Sequence, residues 1–190
     1  MTDSHENLVA VFRSLRVFCN DVSKLLQVAT ARMADKGWCP TQPTAVFESS
    51  RAIDRPNVWL PYEFCRFYAC PQVPELVCFV AVNIGYPKDA FPMINALLSA
   101  GCITFDSKQK CVETSHWMAR WHLFMDDRTD NGMIFRDEPP KAWKAEEGWP
   151  PPAGIIKVET FAYPLVEIKD GETLAEKIIA PLMKLVKEQS

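Results

Sequence analysis

The stretch MDDRTDNGMIFRDE contains the residue types, and nearly the spacing, of a calcium-binding loop. In such a helix-loop-helix, oxygen ligands occupy loop positions 1, 3, 5 and 9, glycine occupies position 6, and a glutamate at position 12 binds the ion through both oxygens. Positions 1, 3, 5, 6 and 12 are filled here by Asp127, Thr129, Asn131, Gly132 and Glu138. Calcium binding is therefore the first chemical hypothesis.

Two features of the same stretch oppose a calcium site. Position 9 is Phe135, which offers no oxygen, and Pro139 and Pro140 follow the glutamate where a second helix should run. Asn131 and Gly132 both tolerate positive φ, and between two alternating apolar runs they are a strong signal for a β-hairpin. We favour a hairpin that sets the register of two strands, with no metal site.

The histidines and cysteines do not form a metal-ligand pattern either. His116 and His122 are separated by about 20 Å in a strand and lie on different faces of a helix. The seven cysteines are odd in number and include no CxxC pair. This usage is typical of mostly free, buried thiols in a reducing compartment, so the sequence predicts no structural zinc.

Signatures of nucleophilic catalysis and of phosphate binding are absent from the sequence. It contains no GxSxG, GxGxxG or GxxxxGK[ST] motif. Neighbouring carboxylates such as Asp126 and Asp127 lie in polar segments that are typical of a solvated surface. The sequence predicts no catalytic residue and no cofactor, and it leaves open whether the chain has an activity.

One set of residues has the chemistry to hold an anion. The alternation in residues 115–125 favours a strand over a helix, and Arg120 and His122 then project from one face about 7 Å apart. Such a pair can bind a carboxylate or a phosphate, and Arg66, on the aromatic face of another predicted strand, could join it. The alternative, which we favour, is that Arg120 and His122 belong to the wet face of an antiparallel sheet.

Residues 137–154, rich in proline and tryptophan, are predicted to form a long loop. The WPPP motif is typical of an extended polyproline conformation. An exposed Trp149 next to the proline run that includes Pro151, together with Trp143, would suit the docking of another protein. The alternative, which we favour, is a rigid loop whose tryptophans fold back on the core, because exposed tryptophan is uncommon on monomers.

The longest predicted element is a helix over residues 3–36. Asp3 and Glu6 resemble an N-terminal cap, and Gly37 is typical of a C-terminal stop. Its apolar stripe is three rows wide, which favours packing on the chain's own core over a two-stranded coiled coil. Self-association through the remaining length is the alternative. The stripe consists of Leu8, Val11, Leu15, Phe18, Val22, Leu25 and Ala29, flanked by Phe12, Cys19, Leu26 and Met33.

Alternation and β-branched runs predict strands after this helix. LVCFVAVNI (76–84) reads as a central strand that forms a hairpin with YEFCRFYA (62–69) before it. DAFPMINALLSAG (89–101) reads as a middle helix capped by Asp89 and ended by Gly101. The other predicted elements are strands at TAVFES, CITF, KCVET, residues 115–125 and IIKVETFAYPLVEI, and a C-terminal helix TLAEKIIAPLMKLVKE with a kink at Pro181.

The bulk composition limits the class of protein. The chain has 190 residues, of which 48% are hydrophobic, and its net charge is −3. No basic cluster indicates nucleic acid as a partner, and no apolar run or basic leader indicates a membrane or secretion, so we expect a cytoplasmic protein. We expect residues 1–190 to form a single α+β domain, with a mostly antiparallel sheet and the long N-terminal, middle and C-terminal helices packed on it.

Two classes of function are consistent with these patterns. The favoured one is a non-catalytic protein-interaction or assembly module, whose partner is a second copy bound through the N-terminal helix, or another protein. The alternative is a small-molecule-binding domain or enzyme that holds an anionic ligand with Arg120 and His122 on a sheet face.

Overall fold

A computed structural model describes residues 2–48, 63–84, 96–105 and 155–189 of the chain. The predicted KCVET strand, the 115–125 segment and the Asn131–Gly132 hairpin lie outside the described residues. The described part contains two helical regions and one sheet, so the α+β class is confirmed there.

The first helix, α1, spans Thr2–Ala34, which confirms the long N-terminal helix. Gly37 ends it with φ +83°, a left-handed conformation that glycine adopts without steric strain. The N–H groups of Gly37 and Trp38 donate to the carbonyls of Ala34 and Met33, which are the two hydrogen bonds of a Schellman motif. Trp38 and Met33 are both buried, so this turn also fixes the end of α1 in the core.

The strands of the sheet are β1 (Cys39–Pro40), β2 (Val46–Glu48), β3 (Glu63–Ala69), β4 (Leu76–Asn83), β5 (Leu97–Phe105) and β6 (Ile155–Pro164). All their pairings are antiparallel. β1 and β2 lie one after the other beside β3, so the sheet has five strand positions, in the order β1/β2, β3, β4, β5, β6. The predicted β3–β4 hairpin and the central place of β4 are confirmed, and every residue of β4 is buried.

The predicted middle helix is wrong over residues 97–101, which form the first half of β5. Leu98 pairs with Val82 of β4 on one side and with Tyr163 of β6 on the other. Leucine and alanine favour a helix locally, but the two ladders satisfy the backbone and bury alternate side chains on both faces, and this tertiary gain overrides the local preference. Residues 89–95, including Asp89 and Pro92, lie outside the described residues.

The end of the chain forms a helix with one widened turn. β6 ends at Pro164, earlier than the predicted strand, and a 3₁₀ turn at Leu165–Glu167 follows. The helical region consists of α2 (Gly171–Leu174), a π-helical turn (Ala175–Ile179) and α3 (Ala180–Gln189). The Ala180 N–H donates to the Ala175 carbonyl five residues back, directly before Pro181. Since proline has no N–H and clashes with the carbonyl four residues back, the wide turn is the local response to Pro181.

The main core lies between one face of the sheet and the two helical regions. Its side chains from α1 recur every three or four residues, as on one face of a helix. Its side chains from the sheet are every second residue of β3, β4, β5 and β6. The helical contribution comes from Val22, Leu26, Ala29 and Met33 of α1 and from Leu174, Ile178, Ile179, Leu182 and Val186 of the C-terminal region. Within the described residues, no helix combines the length and apolarity needed to cross a membrane.

Candidate functional site

The apolar stripe of α1 is covered by the core only along its second half. Val22, Leu26, Ala29 and Met33 are buried against the sheet. Phe18 marks the border, since it is partly buried and its ring packs edge-on against Phe64 of β3 with centroids 6.4 Å apart. Towards the N-terminus from Phe18, the same face of the helix continues without this cover.

The uncovered half of the stripe presents large side chains to solvent. Leu8, Val11 and Phe12 are 56%, 62% and 55% exposed, and Leu15 is half-buried. At about 100° per residue these four side chains fall within one arc of roughly 100°, which is the width of an apolar helix face. We call Leu8, Val11, Phe12 and Leu15 the apolar arc. Val17 is also exposed, at 59%, but it lies on the opposite side of the helix.

A groove lies beside the covered half of α1. One wall is the flank of α1 from Cys19 to Thr30, the other is the connecting segment 43–45, and Phe64 and Arg66 of β3 form the base. The groove has a volume of about 570 Å³. It is lined mostly by apolar surface, which is typical of a small-molecule site.

Arg66 is the one cation among the described residues that line this groove. Its Nη1 donates to the Pro43 carbonyl at 2.9 Å, which ties β3 to the segment between β1 and β2. Its Nε is buried and has no hydrogen-bond partner among the described residues. A guanidinium carries five N–H donors, so Arg66 keeps donor capacity beyond the bond to Pro43.

A second polar contact fixes α1 over the sheet at the end of the groove. The Thr30 hydroxyl donates to the Leu26 carbonyl at 2.8 Å, so it accepts from the Tyr68 hydroxyl, 3.1 Å away. Burial raises the pKa of Tyr68 to about 12, and the hydrogen bond with Thr30 and the charge of Arg66 oppose this rise only in part. Tyr68 is therefore neutral at physiological pH and acts as a structural donor.

Of the three predicted anion-binding residues, the described part of the chain includes Arg66 alone. Arg66 lies on the same strand face as Phe64 and Tyr68, as the alternation of YEFCRFYA predicts, but this face is under α1 and is not an open wet surface. Arg120 and His122 lie outside the described residues, so their contact with Arg66 stays a prediction.

The predicted docking residues Trp143, Trp149 and Pro151 also lie outside the described residues. Within the described ranges, no three histidine, cysteine, aspartate or glutamate side chains cluster closely enough to hold a metal ion.

Sequence reasoning missed the groove, although one signal for it exists. Ser23, Gln27 and Thr30 form a polar row at a spacing of four and three along α1, next to the apolar stripe. Such a row lies on one flank of a helix and indicates where the covered face ends. Gln27 Nε2 donates to Ser23 Oγ at 3.2 Å, so the row forms one polar rim. That Arg66 lies below this rim is a long-range contact with no local signal.

Comparisons with models of protein families, with characterised proteins and with solved structures each find no significant match. The function is therefore argued from the arc and the groove themselves.

Proposed function

We propose that this protein is a non-catalytic assembly module that pairs with a second copy of itself through the apolar arc of α1. The observation that carries this proposal is the contrast along one helix face: the stripe is buried from Val22 onwards and exposed at Leu8, Val11 and Phe12. Several large neighbouring side chains on one exposed face mark an interaction surface more often than scattered ones do.

The spacing of the arc favours a second copy as the occupant. The positions of Leu8, Val11, Phe12 and Leu15 are spaced symmetrically about a point between Val11 and Phe12. Two antiparallel helices related by a two-fold axis through that point bring Leu8 of one copy against Leu15 of the other. Val11 of each copy then meets Phe12 of the other copy, and one such pair lies on each side of the axis. A self-complementary patch of this kind is what a two-fold symmetric interface requires.

The size of the patch sets the expected strength of pairing. At their exposures, Leu8, Val11 and Phe12 each leave on the order of 100 Å² of apolar surface to bury. Two copies would bury about 600 Å² of apolar area, which corresponds to about 1,000 Å² in total because interfaces are roughly 57% apolar. That total is at the lower bound of specific interfaces, so we expect a weak dimer with a dissociation constant on the order of 1–100 μM.

Analytical ultracentrifugation of the full chain over about 1–500 μM tests this proposal. The wild-type protein should shift from monomer to dimer across this range. Phe12→Asp places a charge at the centre of the pairing and should weaken it about thirtyfold or more. The matched control is Val17→Asp, which introduces the same charge at an equally exposed valine on the opposite side of the helix, and it should leave the dissociation constant unchanged.

Two results would overturn the proposal. One is a wild-type protein that stays monomeric at the highest concentration, including the case in which it instead co-sediments with anionic lipid vesicles. The other is an equal loss of pairing in Phe12→Asp and Val17→Asp, which would assign the effect to charge on the helix and not to the arc. Far-UV circular dichroism of each variant controls for the integrity of α1.

A further inference from the structure

The groove beside α1 differs in chemistry from the apolar arc. Its volume of about 570 Å³ lies within the range of roughly 300–1,000 Å³ that holds small organic ligands. Val22 and Leu26 of α1, Ala45 opposite them and Phe64 below supply apolar surface. This lining suits a hydrocarbon or aromatic group that water solvates poorly.

The charge of the groove has one sign. Arg66 lines it, and no aspartate or glutamate does so among the described residues. The Arg66 Nε is buried without a hydrogen-bond partner in the described part of the chain, and an unpaired buried donor on a cation is costly. Burial closes this Nε to a ligand, but the Nη end of the guanidinium lies at exposed surface, where an acceptor in the groove can pair with it, and an anionic acceptor does so most strongly.

The contact with Pro43 decides which edge of the guanidinium is available. Nη1 donates to the Pro43 carbonyl and Nε is buried, so the N–H groups of Nη2 are the ones left for a carboxylate in the groove. Ser23 and Gln27 on the rim supply neutral polar groups. With Arg66 as the one cation among the described lining residues, a monoanion is balanced and a multiply charged phosphate is not.

We propose that the groove binds a small amphipathic carboxylate, such as a medium-chain fatty acid. Its carboxylate pairs with Arg66, and its apolar chain lies along Val22, Leu26 and Phe64. This binding site is separate from the apolar arc and does not depend on self-association. It also differs from an Arg120 and His122 site, because every group that it uses belongs to α1, to residues 43–45 or to β3.

Titration calorimetry of the full chain with decanoate, kept below its micelle concentration, tests the proposal. The expected result is saturable binding of one decanoate per chain. Decanol, which keeps the apolar chain but lacks the charge, should bind about tenfold or more weakly, as should acetate, which lacks the chain.

Two variants assign the site. Arg66→Gln keeps a donor for the Pro43 carbonyl but removes the charge, and it should weaken decanoate binding about tenfold or more. Arg32→Gln is the matched control, because Arg32 is an exposed arginine of α1 that does not line the groove, and it should bind decanoate like the wild type. Ser23→Phe fills the groove from an exposed helix position and should abolish binding while leaving Arg66 in place.

The proposal is overturned if decanoate does not bind, if decanol binds as tightly as decanoate, or if Arg66→Gln retains wild-type affinity while folded. Ser23→Phe guards against the case in which Arg66→Gln fails to fold, since normal decanoate binding by folded Ser23→Phe also overturns the proposal. Phe12→Asp should bind decanoate normally, so a failure of self-assembly and a failure of this site are seen independently.

Discussion

Gly101 offers the sharpest test of the sheet packing. It lies in β5, opposite Phe79 of β4 and Thr160 of β6. A Cβ added at Gly101 would lie 2.2 Å from the Glu159 backbone oxygen and 3.0 Å from two atoms of the Phe79 ring. The ring can yield slightly, but the Glu159 carbonyl belongs to the neighbouring strand, so Gly101→Ala must displace β6 relative to β5.

The expected loss of stability follows from three contributions. Relieving the overlap requires a shift of about 1 Å in a packed core, and overpacking of this kind costs roughly 1–3 kcal/mol. Distorting a ladder hydrogen bond adds about 1 kcal/mol. Replacing glycine in a strand interior returns roughly 0.5–1 kcal/mol through lower chain entropy in the unfolded state. The net prediction for Gly101→Ala is a loss of about 1–3.5 kcal/mol in the free energy of unfolding.

The same substitution at two other glycines should give different results. At Gly171, in the first turn of α2, the added Cβ would lie at an ordinary 3.5 Å from Val28, so Gly171→Ala should stabilise by about 0.5–1 kcal/mol. At Gly37 nothing lies within 4 Å, but φ is +83°, so Gly37→Ala should cost about 1 kcal/mol through backbone strain alone.

Urea unfolding, followed by far-UV circular dichroism, measures all three variants against the wild type. With a slope of about 2 kcal/mol per molar urea, Gly101→Ala should lower the midpoint by roughly 0.5–2 M, whereas Gly171→Ala should raise it slightly. If Gly101→Ala is as stable as the wild type, or if Gly37→Ala is the most damaging of the three, the packing of β5 against β6 described here is wrong.

Two further predictions concern buried ionisable side chains. Burial raises the pKa of Tyr68 to about 12, above its usual value of 10. Tyr68 therefore leaves the free energy of unfolding unchanged below about pH 10 and lowers it by roughly 2–3 kcal/mol as the pH rises through 12. Urea midpoints from pH 8 to 12 should show a smaller fall in Tyr68→Phe, which has no phenol to ionise, than in the wild type. Burial raises the pKa of the Cys78 thiol, whose Sγ lies 3.4 Å from that of Cys102, whereas Cys39 is exposed. Iodoacetamide should therefore modify Cys39 in the native protein and reach Cys78 and Cys102 only after unfolding, which mass spectrometry can measure. Equal labelling of the three thiols in the native state would contradict the placement of β4 and β5.

The elements that the sequence predicts well are those whose local and tertiary preferences agree. The apolar stripe of α1 and its glycine stop both indicate a helix, and the structure has Thr2–Ala34 with a Schellman turn at Gly37. LVCFVAVNI is apolar except for Asn83, a pattern typical of a strand covered on both faces, and β4 is buried along its whole length in the centre of the sheet. In these segments no long-range contact changes what neighbouring residues prefer.

The middle helix fails for the opposite reason. ALLSAG has strong helix formers and a glycine in the place of a stop signal, yet Gly101 is a strand residue whose missing Cβ admits the Glu159 carbonyl and the Phe79 ring. A glycine that ends a helix and a glycine that permits close strand packing are identical in sequence. Only the pairing of β5 with both β4 and β6, across large sequence separations, distinguishes them.

In the candidate site, too, one feature follows from the local sequence and the others depend on long-range contacts. Alternation in YEFCRFYA places Arg66 on the Tyr68 face, and the structure confirms that face. Alternation does not predict what covers this face. In the structure α1 lies over it, the Pro43 carbonyl accepts a hydrogen bond from Arg66 Nη1, and Ser23 and Gln27 form the rim above. These relations join residues more than 20 positions apart and depend on how the helix crosses the sheet.

The way α1 is anchored explains how its exposed half can be ordered without a core beneath it. The buried residues from Val22 to Met33, the Thr30–Tyr68 hydrogen bond and the Gly37 turn fix the second half against the sheet. Starting a helix is the unfavourable step, and adding residues to an existing helix is nearly neutral. The first half therefore extends a helix that the core has already nucleated. A partner that binds the apolar arc meets a preformed surface and loses little conformational entropy, which makes a patch of this small size sufficient for a micromolar dimer.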